Sequence, residues 1–239
     1  MTQPRFLDAG EAALVVEFGS SIDPALNDQV LRLDAALSRA APKGLRELVP
    51  TYRSLMVHYD PLTLDRARLI ALIQASLQGG IGPAKAPRTW QLPCYYGEPY
   101  GDDLAALAAL LGLSVTRLAD LHASACYRVY MYGFSPGFTY LGGLPEALTI
   151  SRRATPRPPP VDKTITVGGN QTAIATFPMP TGWYVIARTP VRLYAPERAV
   201  PFLVEAGDNI IFDPIDRDCF ESLHARAEAG DPIARRIDP

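Results

Sequence analysis

The sequence predicts an α+β fold in two parts, on three observations. Over roughly the first 80 residues, strand-like apolar runs alternate with two segments of helical periodicity. A Gly/Pro-rich stretch, GGIGPAKAP, then interrupts the pattern. After two short helices, the remainder is a series of short apolar runs cut by Gly, Pro, Asn and Asp at roughly 8–12-residue intervals, the rhythm of a β-barrel or sandwich.

The elements follow in order. AALVVEF (12–18) is a strand ended by Gly19 and Ser20. Asp23-Pro24 supplies a helix N-cap and a proline suited to the first helical turn. Behind it Leu26, Val30, Leu33 and Leu37 recur at helical spacing to about residue 39. RELVP (46–50) and SLMVHY (54–59) read as two strands joined through Thr51, Tyr52 and Arg53. Thr63 can cap a second helix with Ala67, Ile70, Ile73 and Leu77 along one face, stopped by Gly79 and Gly80. A further strand near TWQLPCY could close the unit. Strand–helix–strand–strand–helix with a closing strand is the βαββαβ, ferredoxin-like arrangement. GGIGPAKAP is the best linker in the chain, so the expected domains are residues 1–87 and 88–239.

In the second part, DDLAALAALLG (102–112) and SVTRLADLHAS (114–124) are short helices, the first ended by Gly112 and the second capped by Ser114. TITV (164–167), TAIATF (172–177), WYVIA (183–187), VRLY (191–194), PFLV (201–204) and NIIF (209–212) are the expected strands. The tail from Asp216 is expected to be helical.

Composition narrows the function. The 239 residues are 48% hydrophobic and 20% charged, which excludes wholesale disorder. A net charge of −2 gives no electrostatic reason for a nucleic-acid or anionic-membrane partner. Asp8 and Glu11 stand where a signal peptide would need its apolar core, so cytoplasmic residence is expected. Cys94, Cys126 and Cys219 form no CxxC pair and are expected as reduced, mostly buried thiols. His58, His122 and His224 lack helical metal-site spacing, so no metal is expected.

No GxxxxGK[ST], no GxGxxG after a strand and no GxSxG elbow is present. What remains are binding groups. Val129–Pro145, VYMYGFSPGFTYLGGLP, concentrates glycines and aromatics and contains no histidine, cysteine or carboxylate. Gly169, Asn170 and Gln171 lie between two apolar runs. Asn170 suits a left-handed turn position, while a barrel-facing Gln171 amide needs partners. Arg188 ends a strand, where it either pairs with an internal carboxylate or forms a fork for a ligand carboxylate or phosphate. Arg152, Arg153 and Arg157 form a basic group with no matching acidic run nearby. Together these point to a pocket for a small planar, polar or anionic ligand.

Several segments then carry a family resemblance. GEAALVVEFG, LVPTYRSLMVHYDP, GDDLAALAALLGLS, YMYGFSPGFTYLGGLP, RRATPR, GGNQT and GDNIIFDPI resemble, in order, the B subunit of bacterial ATP-dependent 5-oxoprolinase. That family includes allophanate hydrolase subunit 1 and KipI, an inhibitor of a histidine kinase. The resemblance implies a ferredoxin-like N-terminal domain and a cyclophilin-like β-barrel. It also implies a hydrolase complex with a homologous C subunit, and with an A subunit, in which ATP activates the lactam of 5-oxoproline for cleavage to glutamate. The partner could share the nucleotide site with this chain. The alternatives are a KipI-like kinase inhibitor and a component associated with allophanate hydrolase or urea amidolyase. By position, the resemblance groups Gly133, Phe134, Pro136, Gly137 and Phe138 with Gly169, Asn170, Gln171 and Arg188, and adds Arg157 and His122. Gln171 and Arg188 are expected to orient the substrate amide and carboxylate, with glycine N–H groups supporting charge on oxygen. Three departures stand out. The usual Gly-Ser turn is replaced by Asp162-Lys163-Thr164, Ala173 replaces a glycine after GGNQT, and PGGW becomes Pro180-Thr181-Gly182-Trp183.

Overall fold

The structure is a computed structural model, and it describes residues 3–78 and 86–237. Gly79, Gly80 and most of the GGIGPAKAP linker lie outside the described residues. The chain divides into two compact units, Met1–Ala86 and Pro87–Pro239.

The first unit contains β1 (Arg5–Asp8), β2 (Ala13–Glu17), α1 (Pro24–Ala40), β3 (Leu45–Pro50), β4 (Ser54–Tyr59) and α2 (Arg66–Gln78). Its sheet has the order β1-β2-β4-β3, antiparallel throughout. α1 starts where the sequence places it, because the Asp23 carboxylate accepts from the Ala25 and Leu26 amides (2.7 and 3.2 Å). Val30, Leu33 and Leu37 then pack on Leu14, Val16, Leu55 and Val57 in one buried cluster. α2 differs at its start. Asp65 accepts from the Arg68 amide at 2.9 Å, whereas the Thr63 hydroxyl is hydrogen-bonded back to Asp60. The cap is therefore the carboxylate nearer the helix. The closing strand also differs. TWQLPCY belongs to the sheet of the second unit, and the edge position beside β2 is filled by β1, from the N-terminal side.

The second unit contains β5 (Thr89–Cys94), α3 (Leu104–Leu110), α4 (Val115–Ala123), β6 (Cys126–Tyr132), β7 (Thr139–Gly142), β8 (Thr164–Gly168), β9 (Gln171–Ala175), β10 (Tyr184–Arg188), β11 (Asn209–Pro214), α5 (Arg217–Glu228) and β12 (Arg235–Arg236). The strands form one sheet of order β10-β8-β9-β7-β6-β11-β5-β12. Tyr95, just past β5, pairs with Arg188 at the end of β10 through two backbone hydrogen bonds (2.9 and 3.1 Å). That bridge joins β10, one edge of the sheet, to the chain leaving β5 near the other, so the sheet closes like a barrel rather than stacking as a sandwich. Leu92, Tyr127, Val129, Leu141, Ile165, Val167, Ile174, Ile186, Ile210 and Phe212 share one core with Leu104 and Leu107 of α3 and Leu118 of α4. Ser114 and Asp216 cap α4 and α5 by accepting from the Arg117 and Cys219 amides (3.1 and 2.8 Å).

VRLY and PFLV are not strands; only a single bridge, Tyr194 with Phe202, links them. Pro190, Pro196 and Pro201 flank the two runs and have no N–H to donate to a ladder. The Arg198 guanidinium donates to the carbonyls of Arg192, Leu193 and Pro201 (3.0, 3.2 and 2.9 Å) beside the two backbone bonds of that bridge. Cys94 is buried as expected, but Cys126 and Cys219 are exposed. Among the described residues no single helix is long and apolar enough to cross a membrane.

Candidate functional site

β6 and β7 are joined by Gly133–Phe138, so the glycine- and aromatic-rich segment is largely a β-hairpin. At Gly137 φ is +74°, and a Cβ there would lie 2.6 Å from Tyr194 Cβ and 3.1 Å from Thr176 Cγ2. Glycine is needed on both counts, the backbone angle and the close approach. The Thr176 hydroxyl donates to the Pro136 carbonyl at 2.6 Å and pins the loop to the end of β9. Phe134, 78% exposed and also at positive φ (70°), meets Phe138 edge-on at 5.8 Å. Phe138 begins an aromatic row through Tyr140 (4.7 Å) to Trp183 (6.3 Å), with Arg152 over the Trp183 ring at 5.5 Å. This row covers Ala173 and Ala175, and strand alternation puts Gln171 on the same face.

The remaining expected site residues do not converge. Gly169 and Asn170 form the two-residue turn between β8 and β9. Gly169 takes the left-handed angle (φ 64°) and Asn170 does not, so the glycine carries the turn expected of Asn170. Arg188 pairs with Thr164 at the opposite end of β8, while Gln171 pairs with Gly168. Four residues of strand, roughly 13 Å, separate the two positions along the sheet. Arg157 and Arg153 do have an acidic partner, supplied from about fifty residues upstream. Asp103 accepts from Arg153 (2.9 Å), Arg157 (3.0 Å) and the Val185 amide (2.9 Å), and Arg157 also pairs with Asp102. Both guanidinium groups thus tie their segment to the start of α3.

His122 is fully buried on α4. Its Nδ1 is 2.7 Å from the Tyr96 hydroxyl and its Nε2 is 3.1 Å from the Thr172 hydroxyl. The Thr172 hydroxyl itself donates to the Thr166 carbonyl (2.8 Å), so it accepts from Nε2–H, and Nδ1 accepts from Tyr96. Phe212 stacks on the ring at 5.0 Å. Both nitrogens are engaged, and burial pulls the imidazole pKa down to about 3. In this position His122 is a neutral core residue with no nitrogen left for a ligand.

Arg188 stands in the wall of a cleft of about 540 Å³. Its lining combines charged residues (Asp162, Lys163, Arg188, Arg192, Glu228) with apolar ones, among them Phe177, Pro178, Leu193, Tyr194 and Pro196. Arg188 donates to the Asp162 carboxylate at 2.5 Å and carbonyl at 2.9 Å, under the face of Tyr100 at 4.7 Å. Lys163, at φ 57°, reaches Glu228 at 2.6 Å and Asp162 at 3.3 Å. Lys163 holds the Glu228 carboxyl below its usual range. Burial, aided by the charges of Lys163 and Arg188, lowers His224 on the same helix. The Lys163 and Arg188 side chains are only 6% and 8% exposed, so this is a built cationic corner rather than a solvated surface. Sequence reasoning misses Asp162, Lys163 and Glu228 as site residues. The one signal for them is the Asp-Lys-Thr replacement of a Gly-Ser turn, and Glu228 lies in a tail helix with nothing locally distinctive. A groove of about 350 Å³ in the first unit, lined by Asp34, Ser38, Arg46 and Glu47 among others, has no comparable pair of buried cations. Among the described residues no group of three or more His, Cys, Asp or Glu could hold a metal ion.

Residues 4–204 match the carboxyltransferase domain, subdomains C and D. Proteins named as the B subunit of 5-oxoprolinase, from Bacillus subtilis, Escherichia coli O157:H7 and Haemophilus influenzae, are 30%, 33% and 36% identical to this chain. The matches cover 85%, 90% and 71% of this chain and 89%, 97% and 76% of those relatives. The chain belongs to the family of 5-oxoprolinase B subunits. A crystal structure of TTHA0988, 36% identical, superposes with a TM-score of 0.77 over 85% of this chain, which spans only 40% of that longer one. The Kluyveromyces lactis urea carboxylase superposes with a TM-score of 0.79 over 98% of this chain and 24% of its own, at 15% identity. That likeness concerns the fold: the family's mixed α+β architecture recurs as one part of a larger enzyme.

Proposed function

We propose that this chain is the B subunit of an ATP-dependent 5-oxoprolinase-type complex in the cytoplasm, working with a homologous C subunit, and with an A subunit. The observation that carries this reading is the shared name of three relatives at 30–36% identity over most of the chain. We read residues 1–87 as the ferredoxin-like domain and 88–239 as the cyclophilin-like barrel. The cleft at Arg188 supplies what such a substrate needs from this chain. Lys163 and Arg188 attract a carboxylate, and Phe177 and Tyr194 offer an apolar wall to a five-membered ring. Gln171 is too far along the sheet to hold the amide of the same small ligand, so its amide serves the aromatic face instead.

The cleft does not fit the nucleotide. Arg188, Lys163 and Arg192 are matched by Asp162, Glu228 and Glu197, which leaves no surplus positive charge for a triphosphate. We therefore assign ATP to the partner subunits. The test is co-expression with the A and C subunits, followed by an assay of ATP-dependent 5-oxoproline consumption. Arg188→Ala is expected to lower kcat/KM about 100-fold, mainly through KM, with the complex still assembling on gel filtration. Unchanged turnover in an intact complex would reject the assignment of Arg188. No turnover by the unmodified complex would reject the 5-oxoprolinase reading.

A further inference from the structure

The cationic corner of the cleft already holds a carboxylate, and it belongs to the chain itself. Asp162 bridges the two cations, with Oδ1 2.5 Å from Arg188 and Oδ2 3.3 Å from Lys163. We propose that Asp162 is an internal competitor, standing where the carboxylate of a bound ligand sits and leaving when that ligand enters. Residue 162 thereby sets affinity and selectivity for carboxylates. The inference rests on the reading of the cleft as a substrate-carboxylate site.

Three observations make Asp162 the exchangeable member. The cations are fixed and nearly dry: Arg188 lies beneath Tyr100 and 5.6 Å from the Phe220 ring, and Lys163 is held by Glu228, while the Thr189 amide donates to its backbone carbonyl at 3.0 Å. The Asp162 side chain, in contrast, is 37% exposed, on a segment without regular structure before β8. When its carboxylate swings away, the corner keeps its shape. Arg188 still donates to the Asp162 carbonyl and Lys163 still pairs with Glu228. A ligand carboxylate then replaces one charge-assisted pair by another, so the cations are never left bare, an arrangement that is costly when buried. Because the two carboxylates exchange, the native corner binds ligand weakly on its own. Only additional contacts, such as a ring on Phe177 and Tyr194, favour the ligand.

The experiment is calorimetric titration of the full chain at fixed ionic strength with 5-oxoproline, with propionate (a carboxylate without the ring) and with 2-pyrrolidinone (the ring without the carboxylate). Asp162→Ala and Asp162→Asn are each expected to bind both carboxylates about tenfold tighter than the unmodified chain, with 2-pyrrolidinone unaffected. Propionate is also expected to raise the melting temperature of Asp162→Ala more than that of the unmodified chain. A folded variant that binds carboxylates no better than the unmodified chain overturns the proposal. Should Asp162→Ala not fold, Asp162→Asn, which keeps volume and hydrogen bonding, decides. In the unmodified chain, the Arg188 Nη2–H resonance should shift on saturation with propionate, because Nη2 is the group that the Asp162 carboxylate releases. A resonance that stays in place overturns the proposal whatever the variants do. Propionate also separates the two claims. A gain for propionate without 5-oxoproline turnover by the assembled complex keeps the competitor and rejects the enzyme reading; turnover without that gain does the reverse.

Discussion

At the scale of single residues, His122 illustrates how little a residue type says about its role before its neighbours are known. The family resemblance groups it with ligand-binding positions, yet the fold closes Tyr96, Thr172 and Phe212 around it. Its pKa, about 3 in the folded chain, is depressed below the ordinary value of roughly 6.5. The unfolded chain therefore takes up the proton first as pH falls. The stability this neutral state provides is complete above pH 6.5 and is lost progressively as pH drops toward 3. Between pH 7 and pH 5 the loss from this one group is about 2 kcal/mol. His122→Gln keeps a donor and an acceptor but does not titrate, so its unfolding free energy should fall by about 2 kcal/mol less over that interval. Urea melts of both proteins at pH 7, 6 and 5 measure the difference, in which all other titrating groups cancel. Parallel pH dependences would show that His122 is hydrated or charged in the fold. The same scale explains the arginines. In the sequence Arg157 has no visible partner, because Asp102 and Asp103 are distant and meet it only once α3 and β10 are in place.

At the scale of elements, helices were legible and strand pairings were not. A helix is closed by local bonds, so Asp23 and Ser114 could be read directly as caps. A strand is completed by a partner whose identity the local pattern does not encode. RFLD is four residues long with a charge at each end, and its place at the sheet edge follows only from its pairing with β2. TWQLPCY has strand character, but its partner is β11, more than a hundred residues later. The Gly133–Phe138 connection offers a sharper test, because its two framing glycines have different surroundings. A Cβ at Gly137 meets Tyr194 at 2.6 Å at a left-handed φ; one at Gly133 meets nothing within 4 Å. Gly137→Ala should therefore cost about 2–3 kcal/mol, from overpacking and the unfavourable backbone angle together. Gly133→Ala should change stability by less than about 1 kcal/mol. Denaturant midpoints of the two variants decide the matter, and equal effects would mean that Tyr194 does not press on the loop.

At the scale of the whole molecule, composition changes across GGIGPAKAP, and the division into two compact units falls at Ala86, within that stretch. The content of the candidate site was legible only in part. Phe138 and Gln171 share a face, and Arg188 lines a cleft, but no periodicity could reveal that Arg188 and Gln171 flank opposite ends of β8, the strand between theirs. Nor could it reveal that a tail helix brings Glu228 to Lys163. The first relation is set by the registers of β8 with β10 and β9, and the second by a contact between residues more than sixty positions apart. Each unit nevertheless has its own sheet and its own buried cluster. In the first, Leu14, Val30, Leu33, Leu55 and Ile73 are fully enclosed; in the second, Leu92, Tyr127, Ile165, Ile174 and Ile210 are. A core of that kind is what a chain segment needs to fold by itself, and both segments fall within the usual size of a domain. Residues 87–239 expressed alone should therefore unfold in a single cooperative transition followed by near-ultraviolet circular dichroism, and residues 1–86 in another followed by far-ultraviolet dichroism. The larger fragment should also retain the carboxylate site, since Asp162, Lys163, Arg188 and Glu228 all lie within it, and should bind 5-oxoproline with the affinity of the full chain. A fragment 87–239 that lacks a cooperative transition would show that its barrel-like closure depends on the first unit. A folded fragment that no longer binds would place the ligand outside the cleft at Arg188.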